Sequence, residues 1–222
     1  MQKLDVLNRG YGGYNSKHGK VILPHIIDAE DTKFTKIRLM TIFWGTNDAV
    51  DTFQHVDIKE YEENIDAMVK LAKKNDINVI VIGPALHDTT AYTKLYEEGA
   101  VEFKDTAKSS VNGRYSEVAK KVAADNNVPF VDIWTLFVKY GGWENIDPDE
   151  INSKNYPKIK ELLMDGIHFM PEGYRILFEG IQEAIKNYYP ELYFEKLPEH
   201  LAAWDNIDDS NLETSLFANE PL

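Results

Sequence analysis

The sequence lacks cysteine altogether, since none of its 222 residues is one. This absence excludes disulfide bonds, thiolate nucleophiles and cysteine-based zinc sites, and it fits a reducing compartment such as the cytoplasm. Long apolar runs are missing too, so we expect no membrane span and no signal peptide. Basic residues are scarce, because only 24 Lys and Arg accompany 37 Asp and Glu. The net charge of −13 would repel phosphate backbones and anionic lipids, so nucleic acid is not an expected partner.

The remaining composition is that of a folded domain. Hydrophobic residues make up 43% of the sequence and aromatic residues 12%. This content supports a sizeable core and differs from that of a disordered chain. The length suits one compact unit. We predict a single domain over residues 1–189, followed by an acidic tail over residues 190–222.

The order of apolar patterns predicts an α/β fold. Short apolar runs predict strands over residues 4–7, 37–43, 79–82 and 128–132. Helical spacing and capping residues predict helices over residues 16–27, 58–75, 106–126, 134–140 and 171–188. Residues 85–105 are predicted to form a loop and a lid-like segment, and residues 141–155 a surface loop. Alternating strands and helices predict a parallel sheet covered on both faces, with the site beyond the carboxyl ends of its strands.

A carboxylate precedes an imidazole by three residues in Asp165-Gly166-Ile167-His168, just ahead of a helix start at Pro171. His168 can take a proton from a nucleophile, while Asp165 fixes the tautomer and stabilises the imidazolium. A lone histidine is more often a structural group, and the paired carboxylate is what favours catalysis here. The other histidines lack the spacing of zinc ligands, so no metal site is predicted at His18, His25, His55, His87 or His200.

Two further stretches offer hydrogen-bond donors for a developing negative charge. The glycines in residues 10–13 suit a strand-to-helix turn, and the backbone N–H of Gly13 is best placed to hold an oxyanion. Their spacing fits no phosphate-binding loop. Asn47 follows a predicted strand, where it either forms an ordinary Asx turn or donates its amide to the same charge. Asp48 beside it would brace the loop.

These stretches, in this order, resemble the sequence blocks of the SGNH hydrolases, also called GDSL esterases. Residues 8–15 are similar to the block whose glycine N–H serves the oxyanion hole, with Gly13 at the matching position. Residues 45–48 are similar to the block in which an asparagine, here Asn47, completes that hole. Residues 165–168 match the block that carries the catalytic Asp and His. The resemblance implies a three-layer α/β/α, flavodoxin-like parallel sheet and Ser-His-Asp ester hydrolysis without a cofactor.

Finer details resemble the isoamyl-acetate-hydrolysing esterase branch found in fungi and plants. Residues 8–14 and 82–86 carry this likeness. It implies a small, neutral ester as substrate, such as a short-chain acetate.

The sequence departs from the family at the nucleophile. Family members open with a strand that ends in Gly-Asp-Ser, and no Gly-Asp-Ser occurs here. No serine is flanked by glycine as in a nucleophile elbow, whether Ser16, Ser109, Ser110, Ser116, Ser153, Ser210 or Ser215. We therefore expect a fragment without the family's first strand, the inner one between residues 4–7 and 37–43. Open strand edges would invite pairing with another chain, and hence homo-oligomers.

Two other classes of function compete with this one. The missing serine favours a non-catalytic protein that binds acyl ligands or partners, whereas the joint presence of His168, Asp165, Gly13 and Asn47 favours an enzyme. A metal-dependent phosphoesterase using Asp48, Asp165 and His168 is the second alternative.

Overall fold

The computed structural model describes residues 4–104, 107–197, 199 and 201–217. Its strands are β1 (Leu39–Phe43), β2 (Asn78–Ile82) and β3 (Phe130–Val131). Its longer helices are α1 (Ser16–Glu30), α2 (Ile58–Lys74), α3 (Thr89–Glu97), α4 (Ser109–Asp125), α5 (Ile133–Gly141) and α6 (Pro171–Tyr188). The shorter elements are helix α7 (Leu212–Leu216) and 3-10 turns at Pro148–Glu150, Pro157–Glu161, Pro190–Leu192 and Trp204–Asn206.

The strands form one parallel sheet in the order β1-β2-β3, with Leu39 opposite Asn78 and Ile82 opposite Val131. Successive side chains of β2 point to opposite faces, as the period of two along a strand requires. Val79 and Val81 pack with α1, α2 and α4. Ile80 and Ile82 pack with α5 and α6 on the other face. The predicted α/β fold, with helices on both faces of a parallel sheet, is confirmed.

Local sequence explains where the helices begin. The side chain of Asp57 accepts a hydrogen bond from the backbone N–H of Lys59 at the start of α2. Pro171 occupies the first position of α6, where its missing N–H costs nothing. The structure places α6 over Pro171–Tyr188, which confirms both of its predicted ends. No helix in the described ranges is long and apolar enough to cross a bilayer.

The prediction of a strand over residues 4–7 is wrong. This segment forms no regular structure, and the side chain of Val6 is 94% exposed. A strand is stabilised only by a hydrogen-bonded neighbour, and the outer edge of β1 pairs with no strand in the described part of the chain. The strand predicted over residues 128–132 is limited to Phe130–Val131, which pairs with β2 alone in the described part of the chain.

Two predicted loops are more ordered than the sequence indicates. The segment over residues 85–105 contains helix α3, capped by Asp88. The supposed surface loop over residues 141–155 buries Trp143 and Ile151 in the core shared by α5 and α6.

Some predictions concern residues outside the described ranges. These are residues 1–3 of the predicted domain, residue 105 at the end of the predicted lid-like segment, residue 106 at the start of the helix predicted over residues 106–126, Pro198, His200 and residues 218–222 of the predicted tail. The division into a domain over residues 1–189 and an acidic tail stays a prediction.

Candidate active site

The loops that follow β1 and β2 lie against each other at the carboxyl edge of the sheet. Gly45 has a φ of +126°, and a β carbon on it would lie 2.9 Å from the Pro84 ring and 3.0 Å from the Tyr61 hydroxyl. Only glycine fits this close approach. The hydroxyl of Tyr61 donates to the carbonyl of Trp44 at 3.0 Å and supports the loop from below. These contacts hold the two loops together at the carboxyl edge of the sheet, where parallel sheets place their functional residues.

Asp165 and His168 form a hydrogen-bonded pair in a tight turn. Oδ1 of Asp165 accepts the backbone N–H groups of Ile167 at 3.0 Å and His168 at 2.9 Å. Oδ2 lies 2.7 Å from Nδ1 of the His168 ring. This contact assigns the ring proton to Nδ1, which leaves Nε2 as an acceptor. The His168 side chain is 71% exposed, and Nε2 makes no hydrogen bond within the described residues.

The carboxyl of Asp165 is held in its ionised form. Partial burial acts to raise its pKa, but hydrogen bonds from the His168 backbone, the His168 ring and the Ile167 backbone outweigh burial. The pKa of Asp165 is therefore lowered from its ordinary value. An ionised partner on Nδ1 is what stabilises a protonated imidazole.

One hydrogen bond closes the Asp165–His168 turn, and two further contacts attach it to the sheet edge. The N–H of Met164 donates to the carbonyl of His168 at 2.8 Å, which closes the turn. The N–H of Asp88, beyond the end of β2, donates to the carbonyl of Gly166 at 3.0 Å. The ring of Phe169 lies 6.2 Å from that of Phe43, the last residue of β1. His168 thus lies at the same edge as the loops after β1 and β2.

Gly13 lies in an exposed turn just before α1. Its φ of +77° favours glycine. Its carbonyl accepts the side-chain amide of Gln54 at 2.6 Å, and the carbonyl of Gln54 accepts the side-chain amide of Asn15 at 2.8 Å. The N–H of Gly13 donates no hydrogen bond to a group among the described residues.

Asn47 is joined to the same turn. Its side-chain amide donates to the carbonyl of Tyr14 at 2.7 Å, directly after Gly13. One amide hydrogen is used in this way, and the second remains for another acceptor. The structure therefore brings Asn47 and the Gly13 turn together.

Asp48 braces this half of the site from inside. Its carboxylate is fully buried and accepts the N–H of Ser16 at 2.9 and 3.2 Å. Burial raises the pKa of Asp48, and the hydrogen bonds from Ser16 and neighbouring backbone only reduce that rise. Asn15, and not Ser16, caps α1. The Ser16 hydroxyl is buried and accepts a hydrogen bond from the Asn64 side-chain amide at 3.0 Å, so it is not accessible as a nucleophile.

Two residues of the site, Gln54 and Asp88, were not predicted from the sequence. Gln54 links Gly13 to Asn15 through a contact 41 residues along the chain, and no local pattern indicates it. Asp88 had a usable signal, because Asp is a preferred N-cap residue and Asp88 directly precedes α3.

The described residues contain no group of three or more His, Asp or Glu side chains that could hold a metal ion. The phosphoesterase alternative required Asp48, Asp165 and His168 around one metal. Asp48 is instead buried on Ser16, so this alternative is wrong.

Comparison with known proteins identifies the class. Residues 1–176 match the GDSL-like lipase/acylhydrolase family. The chain belongs to this family, whose members are hydrolases acting on ester bonds.

Individual relatives narrow the assignment to one branch of the family. The chain is 33% identical to the isoamyl acetate-hydrolyzing esterase of Saccharomyces cerevisiae over 215 residues, which cover 95% of this chain and 81% of the yeast protein. It is 30% identical to the human isoamyl acetate-hydrolyzing esterase 1 homolog over 227 residues, covering 99% and 82% of the two chains. The predicted resemblance to this branch is confirmed.

Solved structures share the fold. A lipase/acylhydrolase from Enterococcus faecalis aligns with a TM-score of 0.55 at 22% identity, covering 79% of this chain and 72% of that one. An acetylxylan esterase from Geobacillus stearothermophilus aligns with a TM-score of 0.57 at 19% identity, covering 81% and 71%.

Proposed function

We propose that this chain carries the acid–base pair and the oxyanion donors of a Ser-His-Asp esterase that acts on small, neutral acyl esters. The observation that carries the proposal is the His168 ring, with Nδ1 on the Asp165 carboxylate at 2.7 Å and Nε2 exposed to solvent. A ring held in this tautomer can accept a proton at Nε2 and return it.

The reaction would run in two acyl-transfer steps. A serine hydroxyl attacks the ester carbonyl while Nε2 of His168 takes its proton, and Asp165 stabilises the imidazolium. The tetrahedral oxyanion accepts hydrogen bonds from the Gly13 N–H and the Asn47 amide. Nε2 then gives its proton to the leaving alcohol. Water repeats the sequence on the acyl-enzyme and releases the carboxylic acid.

The substrate class follows from the relatives and from the charge. The yeast relative is named for hydrolysis of isoamyl acetate, an ester of a short acid and a short alcohol. The net charge of −13 disfavours an anionic substrate near the protein. A small acetate ester agrees with both observations.

None of the seven serines has a neighbouring glycine as in a nucleophile elbow, and four of them are buried or hydrogen-bonded. Ser16, Ser109 and Ser116 are buried, and the Ser110 hydroxyl donates to Asp149. The proposal therefore assigns the nucleophile to a Gly-Asp-Ser segment supplied to this chain.

The test is to express the chain behind an N-terminal strand-forming segment that ends in Gly-Asp-Ser, with Gly-Asp-Ala as the control segment. We expect the serine version to hydrolyse p-nitrophenyl acetate and to form a fluorophosphonate adduct on the added serine. His168→Ala abolishes both, whereas His25→Ala, an exposed histidine of α1, changes neither.

The competing function is binding without hydrolysis, which the absence of Gly-Asp-Ser favours. A folded serine version that neither hydrolyses the ester nor reacts with the fluorophosphonate would support it and overturn the esterase proposal.

A further inference from the structure

Asp88 is a carboxylate that the proposed reaction does not use. It is buried between β2 and α3, with 1% of its surface exposed. Oδ1 accepts the backbone N–H groups of Thr90 and Ala91, both at 3.1 Å. Oδ2 accepts the N–H of Ser153 at 2.9 Å. One side chain therefore joins the first turn of α3 to the loop before the Asp165–His168 turn.

The backbone of Asp88 reaches the Asp165–His168 turn itself. Its N–H donates to the carbonyl of Gly166 at 3.0 Å. Gly166 has a φ of +104°, and a β carbon there would lie 2.5 Å from the carbonyl oxygen of Asp88. The two backbones are in direct contact, and only glycine permits it.

The carboxylate of Asp88 adds to the buried residues before it in holding this backbone. None of the residues of α3 is buried, so packing of that helix holds Asp88 weakly. The bonds to Thr90, Ala91 and Ser153 fix the residue from both sides. A donor fixed in this way can hold the Gly166 carbonyl in one position.

We propose that Asp88 is a positioning residue for His168: its carboxylate fixes the Asp88 N–H on Gly166 and thereby keeps the His168 ring on Asp165. The inference rests on the proposed function, which takes His168 as the base. Asp88 touches no reacting atom, and it acts only through the turn over residues 165–168.

Asp132 supplies a matched control. It lies directly after β3 and caps α5, as Asp88 caps α3, by accepting the Thr135 N–H at 3.0 Å and the Thr135 hydroxyl at 2.8 Å. Within the described residues it makes no hydrogen bond with the Asp165–His168 turn. Asp132→Ala removes a helix cap without disturbing Gly166.

The experiment compares Asp88→Ala and Asp132→Ala by long-range ¹H–¹⁵N NMR of the His168 ring at alkaline pH. The separate Nδ1 and Nε2 shifts give the fraction of the ring that carries its proton on Nδ1. We expect that tautomer to predominate in the parent chain and in Asp132→Ala, and to be replaced by a mixture in Asp88→Ala. An unchanged ring in folded Asp88→Ala, or an equal change in Asp132→Ala, would overturn the proposal.

If Asp88→Ala does not fold, Asp88→Asn decides. The amide retains an acceptor for Thr90 and Ala91 but presents its NH₂ group to the Ser153 N–H. A folded Asp88→Asn protein with an altered tautomer ratio supports the proposal, and one with the parent ratio refutes it.

This readout needs no ester and no nucleophile. If the serine version does not hydrolyse the ester but Asp88→Ala alters the tautomer ratio, only the proposed function is overturned. If the serine version hydrolyses the ester but Asp88→Ala leaves the ratio unaltered, only the role of Asp88 is overturned.

Discussion

Two carboxylates stand beside the two halves of the site, and their environments are opposite. Asp165 is partly exposed and faces an imidazole and two backbone N–H groups. Asp48 is fully buried and faces the N-terminus of α1 through Ser16. The pKa of Asp165 is lowered and that of Asp48 is raised.

The difference shows how donors and burial compete for the same proton. Around Asp165 the donors prevail over burial, so the charge needed beside a protonated imidazole is present. Around Asp48 burial prevails, and the carboxyl serves to tie the loop after β1 to α1. Asp165 therefore provides a negative charge beside the imidazole, and Asp48 holds a loop against a helix.

The largest expected effect concerns hydrolysis. In the protein supplied with Gly-Asp-Ser, Asp165→Asn should lower kcat/KM by about 10⁴-fold, because the ring loses the partner that sets its tautomer. Asp48→Asn should lower it by less than about tenfold, since it keeps an acceptor for Ser16. Steady-state kinetics on p-nitrophenyl acetate measures both. Equal losses would mean that the two acids do not differ in role.

The next effect concerns the free energy of unfolding. Asp48→Ala leaves the buried N–H of Ser16 without an acceptor, so we expect a loss of about 1–3 kcal/mol. Asp165→Ala should cost about 1 kcal/mol or less, because water can replace the acceptor at a partly exposed site. Urea denaturation gives both values. A greater loss for Asp165→Ala than for Asp48→Ala would contradict this comparison.

The smallest effect is the pH dependence of stability, which should have opposite signs for the two acids. Asp165, with its lowered pKa, adds stability that is present above the ordinary value of 3.8 and is lost as pH falls below it. Asp48, with its raised pKa, favours the folded state when protonated, so its contribution falls as pH rises above 3.8.

Matched amide variants isolate these two contributions. Relative to the parent chain, Asp48→Asn should gain stability as pH rises from 3.8 toward neutrality, whereas the deficit of Asp165→Asn should shrink as pH falls below 3.8. Urea titrations across this range measure both differences. If the stabilities of the two variants changed with pH in the same way, the predicted difference between Asp48 and Asp165 would be wrong.

Sequence reasoning succeeded where the determining interactions are local. The Asp165–His168 pair forms within a single turn, and α6 begins at the Pro171 that predicted it. The central strand β2 is apolar after its first residue, Asn78, so the burial of residues 79–82 could be predicted from composition alone. Sequence reasoning failed for residues 4–7, whose apolar character predicts a strand but whose pairing depends on a neighbour elsewhere in the chain.

By itself the sequence determined the type of fold, the tautomer-setting pair and the turn that presents Gly13, because each depends on residues close together in the chain. Only the tertiary structure decided that Gln54 holds the Gly13 turn, that Asp48 is buried under α1 and that Asp88 contacts Gly166. These contacts join segments that are distant in sequence. Their free energy comes from burial and hydrogen bonds that exist only once the sheet edge has assembled.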